Sequence, residues 1–360
     1  MISDLYAFPP SEIANTENLT RQLIMAHRRL AELKGVAPLL PNQEILLNTL
    51  ALQEAKDSSA LENIITSHDE LFKDQLDVPS FKNAAAKEVR HYSEALKLGY
   101  EKIKTTRHLS IKDLIEIHTA LSIDGAETGI RIKPGTVVVN RASGEVVHTP
   151  PQDHDQIVEL MEQLLEFFNQ STENGFDPLV RMALLHFQFE KIHPFYDGNG
   201  RTGRILNLLY LVQHGLLDLP VLYLSRYIVR NKPSYLAHFR ADPIDDHWES
   251  WLKYLLRGIE LTSTETIETI HGLRNLMADY QERIKSEHPK IYSLDLLYTL
   301  FKHPYTKIEF VVRDVGVGRV TATSYLDTLT EAGLLDKRKM WRSSYYVNLP
   351  LFELLRGKST

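Results

Sequence analysis

Apolar residues recur every three or four positions along most of this chain, which is the spacing that places them on one face of an α-helix. Glycine and proline interrupt this spacing at intervals, as they do at the ends of helices. The segments that keep the spacing are 16–35, 44–65, 81–104, 110–122, 155–170, 177–192, 202–217 and 246–284, the last as two helices or one long bent helix. The pattern therefore predicts a mainly α-helical protein.

Residues 130–151 follow a different pattern, because β-branched side chains alternate there around Pro134–Gly135 and Ser143–Gly144. This alternation predicts a β-hairpin. A hairpin alone is marginally stable in water, so it needs a surface to pack on. In a helical protein we interpret it as a flap over a groove, with a surface loop as the alternative.

The pattern changes again near residue 285. Short helices are predicted in 293–304, 306–316 and 319–335, and a basic β-ribbon is predicted over 336–348. This order of elements is typical of a winged helix-turn-helix domain. The residues expected where its third helix meets the core are Tyr325, Leu326, Leu329 and Leu334.

The composition is that of an ordinary globular protein, with 43% hydrophobic and 24% charged residues in a chain of 360, enough for two or three domains. A net charge of -6 argues against a mainly electrostatic nucleic-acid binder, but a local basic patch stays open. The absence of cysteine excludes disulfides and thiolate metal sites and favours a reducing compartment. Neither a signal-peptide pattern nor an apolar run long enough to span a membrane is present, so we expect a cytoplasmic protein.

Polar chemistry is concentrated in residues 193–204, which read HPFYDGNGRTGR. Pro194 should end the preceding helix, and a new helix should begin close to Asn199. Unpaired backbone N–H groups and the positive end of the helix dipole lie at such a helix N-terminus, which suits a phosphate group. Gly198 and Gly200 allow the backbone to approach an anion closely.

The side chains of this segment have the chemistry of a nucleotide site. Arg201 and Arg204 lie three residues apart on one helix face, so both can reach the same polyphosphate. Asp197 offers an oxygen ligand suited to Mg2+. His193 can accept a proton from a hydroxyl group near neutral pH. Phe195 is expected to anchor the loop on the core.

Taken singly, these residues have simpler explanations. His193 could be a helix C-cap, Asp197 a turn former, and the two arginines part of a solvated helix face. The segment is neither a Walker loop nor a dinucleotide-binding fingerprint, since it lacks the lysine pattern of the first and no strand precedes it. However, it resembles the signature of the Fic family, H-P-F-x-D/E-G-N-G-R-x-x-R, and matches every specified position. The similarity extends over roughly residues 10–270, through the segments 150–169, 177–195, 222–228 and 248–256.

Fic proteins commonly transfer AMP from ATP to a protein hydroxyl group and release pyrophosphate, so the resemblance implies this activity here. It implies that His193 deprotonates a Ser, Thr or Tyr hydroxyl of the target and that Asp197 holds Mg2+ on the phosphates. The hairpin would hold the target segment by pairing with it as an added strand. The residues implied to bind the ATP phosphates are Gly198, Asn199, Gly200, Arg201 and Arg204.

A second short motif lies at residues 58–63, which read SSALEN. Ser58 and Glu62 are four residues apart, which places them on one face of the predicted helix. The simplest explanation is a solvated helix surface. The segment also resembles the Fic inhibitory motif S/T-x-x-x-E-G/N, which implies that Glu62 pairs with Arg204 and forces ATP into an unproductive pose.

The expected architecture is a helical N-terminal segment with the inhibitory helix (1–100), a Fic core with a hairpin flap (101–275) and a winged-helix domain (285–360). The expected partners are ATP and a protein hydroxyl acceptor, and this chain is itself one candidate acceptor. The sequence leaves open which protein is the target and whether the chain forms a homodimer.

Two other functions stay open at this point. A Fic-fold enzyme can instead remove AMP or transfer another nucleotide-linked group, and Tyr235 lies where the family has nucleotide-side tyrosines. The winged-helix domain could bind DNA or another protein. The basic residues that would contact DNA phosphates are Arg319, Lys337, Arg338, Lys339 and Arg342.

Overall fold

The structure is a computed structural model that describes residues 8–10, 13, 16–74, 83–122, 127–139, 144, 146–171, 175–240, 247–340 and 343–356. Within these ranges the chain forms fifteen α-helices and two small antiparallel sheets. The prediction of a mainly α-helical protein is confirmed. None of the helices in these ranges is both long enough and apolar enough to cross a membrane.

Most predicted helices are present within a few residues of their expected ends. Those before the hairpin are α1 (Glu17–Val36), α2 (Gln43–Leu61), α3 (His68–Asp74), α4 (Ala84–Thr106) and α5 (Ile111–Leu121). Those after it are α6 (His154–Asn169), α7 (Pro178–Ile192), α8 (Asn199–Gln213), α9 (Leu224–Arg230), α10 (Lys232–Arg240) and α11 (His247–Glu287). The sequence pattern missed α3, α9 and α10 because each has nine residues or fewer and shows few periods of the apolar repeat.

The predicted β-hairpin is confirmed. Strand β1 (Val138–Val139) pairs antiparallel with β2 (Val146–His148), and Val138 lies opposite His148. Of the predicted turn, Gly144 has a positive φ of 71°, and Ser143 lies outside the described residues. The interpretation of this hairpin as a flap stays a prediction.

The C-terminal region contains the predicted three helices and β-ribbon, together with two elements that the pattern missed. The elements are α12 (Leu294–Lys302), β3 (Tyr305–Thr306), α13 (Ile308–Val315), α14 (Arg319–Glu331), β4 (Asp336–Met340), β5 (Ser343–Val347) and α15 (Leu349–Arg356). The missed elements are β3, a two-residue edge strand that pairs with β5, and α15. Leu326, Leu329 and Leu334 are buried as predicted, whereas Tyr325 is only half-buried.

Helix α2 ends earlier than predicted, and the turn at its end explains why the motif at residues 58–63 finishes with Asn63. Asn63 adopts the left-handed conformation with φ 65°. Its backbone N–H donates to the carbonyl of Ala60, and that of Ile64 donates to the carbonyl of Ser59, which together form a Schellman motif. Glu62 is therefore the C-cap residue and not part of the helix face, and Asn or Gly is favoured after it because these residues tolerate positive φ.

The chain divides into two compact units, and each has its own core. The first unit is centred on α7 and α8, whose side chains are nearly all buried, and comprises residues 1–34, 54–65 and 88–264. The second unit has a core that includes Leu300, Leu326 and Tyr346 and comprises residues 35–53, 66–87 and 265–360. The boundaries 1–100, 101–275 and 285–360 that were expected from the sequence stay predictions.

Candidate active site

The polar segment forms a loop between α7 and α8, as the sequence predicted. His193 caps the C-terminus of α7 in the left-handed conformation with φ 50°, and Pro194 follows it. Gly198 is the N-cap of α8 with φ 74°, a conformation that glycine adopts without strain. The loop therefore places a histidine at one helix end next to the N-terminus of another.

The loop is fixed to the core by Phe195 and Asn199. The Phe195 ring is fully buried and stacks on the His118 ring with centroids 3.7 Å apart. The Asn199 amide accepts a hydrogen bond from the backbone N–H of Phe195 at 2.9 Å and donates one to its carbonyl at 2.8 Å. The Asn199 side chain therefore shapes the loop, which leaves its backbone at the helix N-terminus as the part able to face a phosphate.

His118 is a supporting residue that the sequence reasoning missed. Its Nε2 lies 2.9 Å from the carbonyl oxygen of Asp197, to which it donates, and its ring is buried. Burial lowers its pKa, and the bond to Asp197 opposes this shift, so the neutral ring is favoured. A signal was present, because His118 lies on the same apolar face of α5 as Leu114 and Leu121.

Arg131, also missed, ties the start of the hairpin segment to the loop. Its Nε donates to the carbonyl of His193 at 2.9 Å, and its backbone N–H donates to the carbonyl of Pro194 at 2.9 Å. Its guanidinium also donates to the carbonyl of Pro151, on the other side of the hairpin. Arg131 therefore joins both ends of the hairpin segment to the backbone of His193 and Pro194.

Tyr196 attaches the same segment from the loop side. Its hydroxyl oxygen accepts hydrogen bonds from the backbone N–H groups of Ile132 at 2.8 Å and Lys133 at 3.0 Å. Beyond them, Gly135 donates its N–H to the Gln152 side chain at 2.6 Å. The base of the hairpin is thus held beside the loop by hydrogen bonds.

His193 is a neutral imidazole at pH 7. Burial lowers its pKa to about 4, and the positive charge of Arg131 contributes to the shift. The ring is half-buried, and its Nδ1 is buried in the protein. This leaves Nε2 as the nitrogen able to accept a proton from a substrate.

Glu62 bridges both arginines of the motif. Its Oε1 accepts a hydrogen bond from Arg204 NH2 at 3.0 Å, and its Oε2 accepts one from Arg201 Nε at 2.9 Å. Arg204 also donates from Nε to the Ser58 hydroxyl at 2.7 Å and from NH2 to the Ser58 carbonyl at 3.0 Å. The resemblance implied the contact to Arg204, and the structure adds the second contact, to Arg201.

Close contacts around Gly200 show how tightly this cluster is packed. A Cβ atom at Gly200 would lie 2.8 Å from both Glu62 Oε1 and Arg204 NH1. Real Cβ atoms essentially never approach oxygen or nitrogen so closely. A side chain at this position would therefore displace the Glu62 carboxylate or the Arg204 guanidinium.

Asp197 is the one acidic side chain of the loop, and it points outward. Its side chain is 80% exposed, and its Oδ2 lies 3.8 Å from Arg201 NH2. No group of three or more His, Cys, Asp or Glu side chains that could hold a metal occurs among the residues the structure describes. A single exposed carboxylate fits Mg2+, which usually takes one or two protein carboxylates and fills its other positions with water and phosphate oxygens.

Tyr235, expected on the nucleotide side, is buried in an aromatic cluster. Its hydroxyl lies 2.9 Å from His186 Nε2, and its ring packs near Trp251 and Phe239. Burial raises the pKa of Tyr235 well above its usual value, so the hydroxyl stays protonated. The assignment of Tyr235 to the nucleotide side of the site stays a prediction.

Models of three protein regions match consecutive parts of the chain. They are described as the Fic/DOC family N-terminal region (residues 20–101), the Fic/DOC family (108–211) and the protein adenylyltransferase SoFic-like C-terminal domain (276–351). Together these matches cover most of the chain, from the first helix to the last sheet.

Named relatives and solved structures agree with these matches. Protein adenylyltransferase fic-1 of Caenorhabditis elegans is 31% identical over 173 residues, 48% of this chain and 30% of the relative. A probable protein adenylyltransferase of Aquifex aeolicus is 33% identical over 115 residues, 32% of either chain. This chain thus spans about a third or less of the length of these curated relatives.

The fold is that of solved Fic proteins. A crystal structure of a Fic family protein from Desulfovibrio desulfuricans G20 superposes with a TM-score of 0.60 at 20% identity, covering 93% of this chain and 97% of that one. Fic-1 of Caenorhabditis elegans, residues 134–508, superposes with a TM-score of 0.51 at 20% identity, covering 71% and 73%. At these identities the likeness concerns the fold alone.

Proposed function

The chain belongs to the Fic/DOC family, and on this basis we propose that it transfers AMP from ATP to a hydroxyl group of a protein. One observation carries the proposal: a neutral histidine and a glycine-rich helix N-terminus are held together by a single loop that is anchored on the core. The names of the relatives, protein adenylyltransferases, support the same reaction. We place the reaction in the cytoplasm, where ATP and Mg2+ are available.

The proposed chemistry assigns proton transfer to His193. Its Nε2 takes the proton of the target hydroxyl while the hydroxyl oxygen forms a bond to the α-phosphorus of ATP. The bond between the α-phosphorus and its bridging oxygen breaks, and pyrophosphate leaves. Because reactions of this type depend mostly on positioning and charge neutralisation, the rigid attachment of His193 through Arg131 favours it.

The phosphates would be bound at the start of α8. Gly198 and Gly200 present backbone N–H groups without side chains in the way, and Arg201 and Arg204 supply positive charge. Asp197 would hold Mg2+, which, when bound, neutralises phosphate charge and supports departure of pyrophosphate. The target segment would pair with the exposed hairpin strands, whose base is fixed by Tyr196.

We propose that Glu62 inhibits this reaction. Its two carboxylate oxygens occupy one donor on each of the two arginines meant for the phosphates. Bound ATP must therefore compete with a carboxylate or place its phosphates elsewhere. The Glu62 side chain is 19% exposed and the arginines 6% and 4%, so water weakens these ion pairs little.

The transferred group can be identified with ATP labelled at different positions. We expect adding the Glu62→Gly protein to a lysate to increase the incorporation of label from the α-phosphate or adenine of ATP but not from the γ-phosphate. Mass spectrometry of the labelled proteins should show the mass of AMP on Ser, Thr or Tyr. Incorporation from the γ-phosphate would instead indicate a kinase-like transfer, and release of AMP from modified protein by the unmutated chain would indicate the reverse reaction.

A second candidate function, DNA binding, belongs to the C-terminal domain. In its favour, the N-terminal turn of α14 is open to solvent, and Val320 there is 85% exposed. Against a large phosphate-binding surface, three of the basic side chains are paired with carboxylates. These pairs are Arg319–Glu309 at 2.7 Å, Lys337–Asp327 at 2.6 Å and Arg338–Asp336 at 2.8 Å.

Because of these pairs, we expect any DNA affinity of the full chain to depend weakly on salt. Each phosphate neutralised contributes a slope of about -0.9 to log K against log salt, so a slope no steeper than about -2 is expected. A gel shift titrated with NaCl measures it. A slope near -5 would show that all five basic residues, including Arg342 outside the described residues, engage phosphates, and no shift would assign the domain to protein contacts.

A further inference from the structure

Arg201 is bonded to two carboxylates from different elements. Its Nε donates to Glu62 at 2.9 Å, and its NH1 donates to Glu88 Oε2 at 3.1 Å. The Arg201 side chain is 6% exposed and that of Glu88 is 16% exposed, so this second pair is largely shielded from water. Neither the motif nor its spacing assigns a role to Glu88, which lies in the second turn of α4.

The position of Glu88 relative to Arg201 is fixed by helix packing. A Cβ atom at Gly99 of α4 would lie 2.6 Å from Leu209 Cδ1 of α8, so glycine lets the two helices approach closely at this point. Gly99 follows Glu88 by eleven residues, and Leu209 follows Arg201 by eight. Eleven residues are about three helical turns and eight are a little over two, so the ion pair and the close contact both lie on the facing sides of α4 and α8.

Glu62 is held in a different way. It is the C-cap of α2 and lies in a turn, outside the helix that precedes it. Removing its carboxylate from both arginines therefore requires a change only within that turn. The pair between Glu88 and Arg201 joins α4 to α8 and uses no atom of the turn.

The two carboxylates also use different edges of the Arg201 guanidinium. Glu88 binds NH1, whereas Glu62 binds Nε, and NH2 lies 3.6 Å from the position of a Cβ at Gly198, on the side of the loop. Once Glu62 leaves, Nε and NH2 form a pair of parallel donors that faces the loop, where the Asp197 carboxylate lies 3.8 Å from NH2. This pair has the geometry for two hydrogen bonds to one phosphate group.

We propose that Glu88 is a positioning residue that holds NH1 of Arg201 and so directs its Nε and NH2 at the phosphates beyond the α-phosphate of ATP. The proposal rests on the proposed function and concerns the state in which Glu62 has left. It predicts that Glu88 favours ATP binding, although its negative charge offsets part of the positive charge of Arg201 that attracts the phosphates. A second inhibitory carboxylate would have the reverse effect.

The test compares two nucleotides that differ only beyond the α-phosphate. Calorimetry with Mg2+ would measure the binding of AMP and of an ATP analogue with a methylene group between its α- and β-phosphates. In the Glu62→Gly protein, adding Glu88→Gln should weaken analogue binding about tenfold, the effect of one charge-assisted hydrogen bond, and change AMP binding less than about twofold. Glu94→Gln, an exposed position of the same helix, is the matched control and should change neither.

The ratio of the two affinities decides the proposal. A structural role alone would weaken both nucleotides equally, and a second inhibitory role would strengthen the analogue, so either result overturns the proposal. If Glu88→Gln does not fold, Glu88→Asp retains the charge with a shorter reach and should give the same selective loss. Because binding is measured without transfer, the result stands apart from any failure of the Glu62→Gly protein to modify a target.

Discussion

The Glu62→Gly protein is expected to transfer AMP at least about tenfold faster than the unmutated chain. The substitution frees the Nε donor of Arg201 and one N–H of Arg204 NH2, which Glu62 occupies at 2.9 and 3.0 Å, while NH2 keeps its bond to the Ser58 carbonyl. A tenfold change requires about 1.4 kcal/mol, which is less than the usual contribution of a hydrogen bond between charged groups. The measurement is incorporation of label from the α-phosphate of ATP into protein at equal protein concentration.

A graded series of substitutions separates charge from shape. Glu62→Gln keeps the size of the side chain and one oxygen acceptor but removes the charge, so its rate should lie between those of the unmutated and Glu62→Gly proteins. The exposed Glu94→Gln serves again as a control and should leave the rate unchanged. Equal or lower labelling by Glu62→Gly would contradict the inhibitory role.

Glu62→Gly should also lower the melting temperature of the protein, and bound Mg2+–ATP should reverse this loss. Without Glu62, Arg204 keeps its bonds to Ser58 but loses its carboxylate while it is only 4% exposed. Removing one partner of a buried ion pair costs about 3–5 kcal/mol, and a bound phosphate can replace the lost carboxylate. We therefore expect Mg2+–ATP to raise the melting temperature more for Glu62→Gly than for the unmutated chain.

The local features of the site could be predicted from the sequence. Pro194 ends a helix and Gly198 begins one for reasons that act within a few residues, so the loop followed from the segment itself. The contact between Glu62 and Arg204 came instead from the resemblance, because no spacing rule relates residues 142 positions apart. The C-cap position of Glu62 was missed because the apolar repeat continues past Leu61 into Ile64 and Ile65, although the chain turns at Asn63.

The supporting residues show where sequence reasoning ends. Arg131 lies 62 residues from His193 in the chain and binds its backbone, so its role depends on tertiary packing that no local pattern reports. Glu88 is similar, because it is one of several charged residues on a helix and only the approach of α4 to α8 selects it. His118 differs from both, since a polar side chain on an apolar helix face is visible in the sequence.

Removing the imidazole of His193 is expected to lower AMP transfer by about a hundredfold or more, the usual contribution of a general base. Its pKa is lowered to about 4 by burial and by Arg131, so at pH 7 the ring is neutral and able to accept a proton. ATP binding should change little, because the phosphates are assigned to the start of α8 and not to His193. The transfer assay is best made in the Glu62→Gly protein, where the starting rate is highest.

The choice of substitution matters because His193 has a φ of 50°. Alanine is strained in this conformation, whereas asparagine tolerates it and cannot act as a base near neutral pH. His193→Asn should therefore match His193→Ala in lost transfer while its melting temperature stays closer to that of the parent protein. The exposed His108→Ala should leave transfer unchanged. Transfer within about threefold of the parent rate in His193→Asn would remove His193 from the role of base, since a general base contributes far more than that factor.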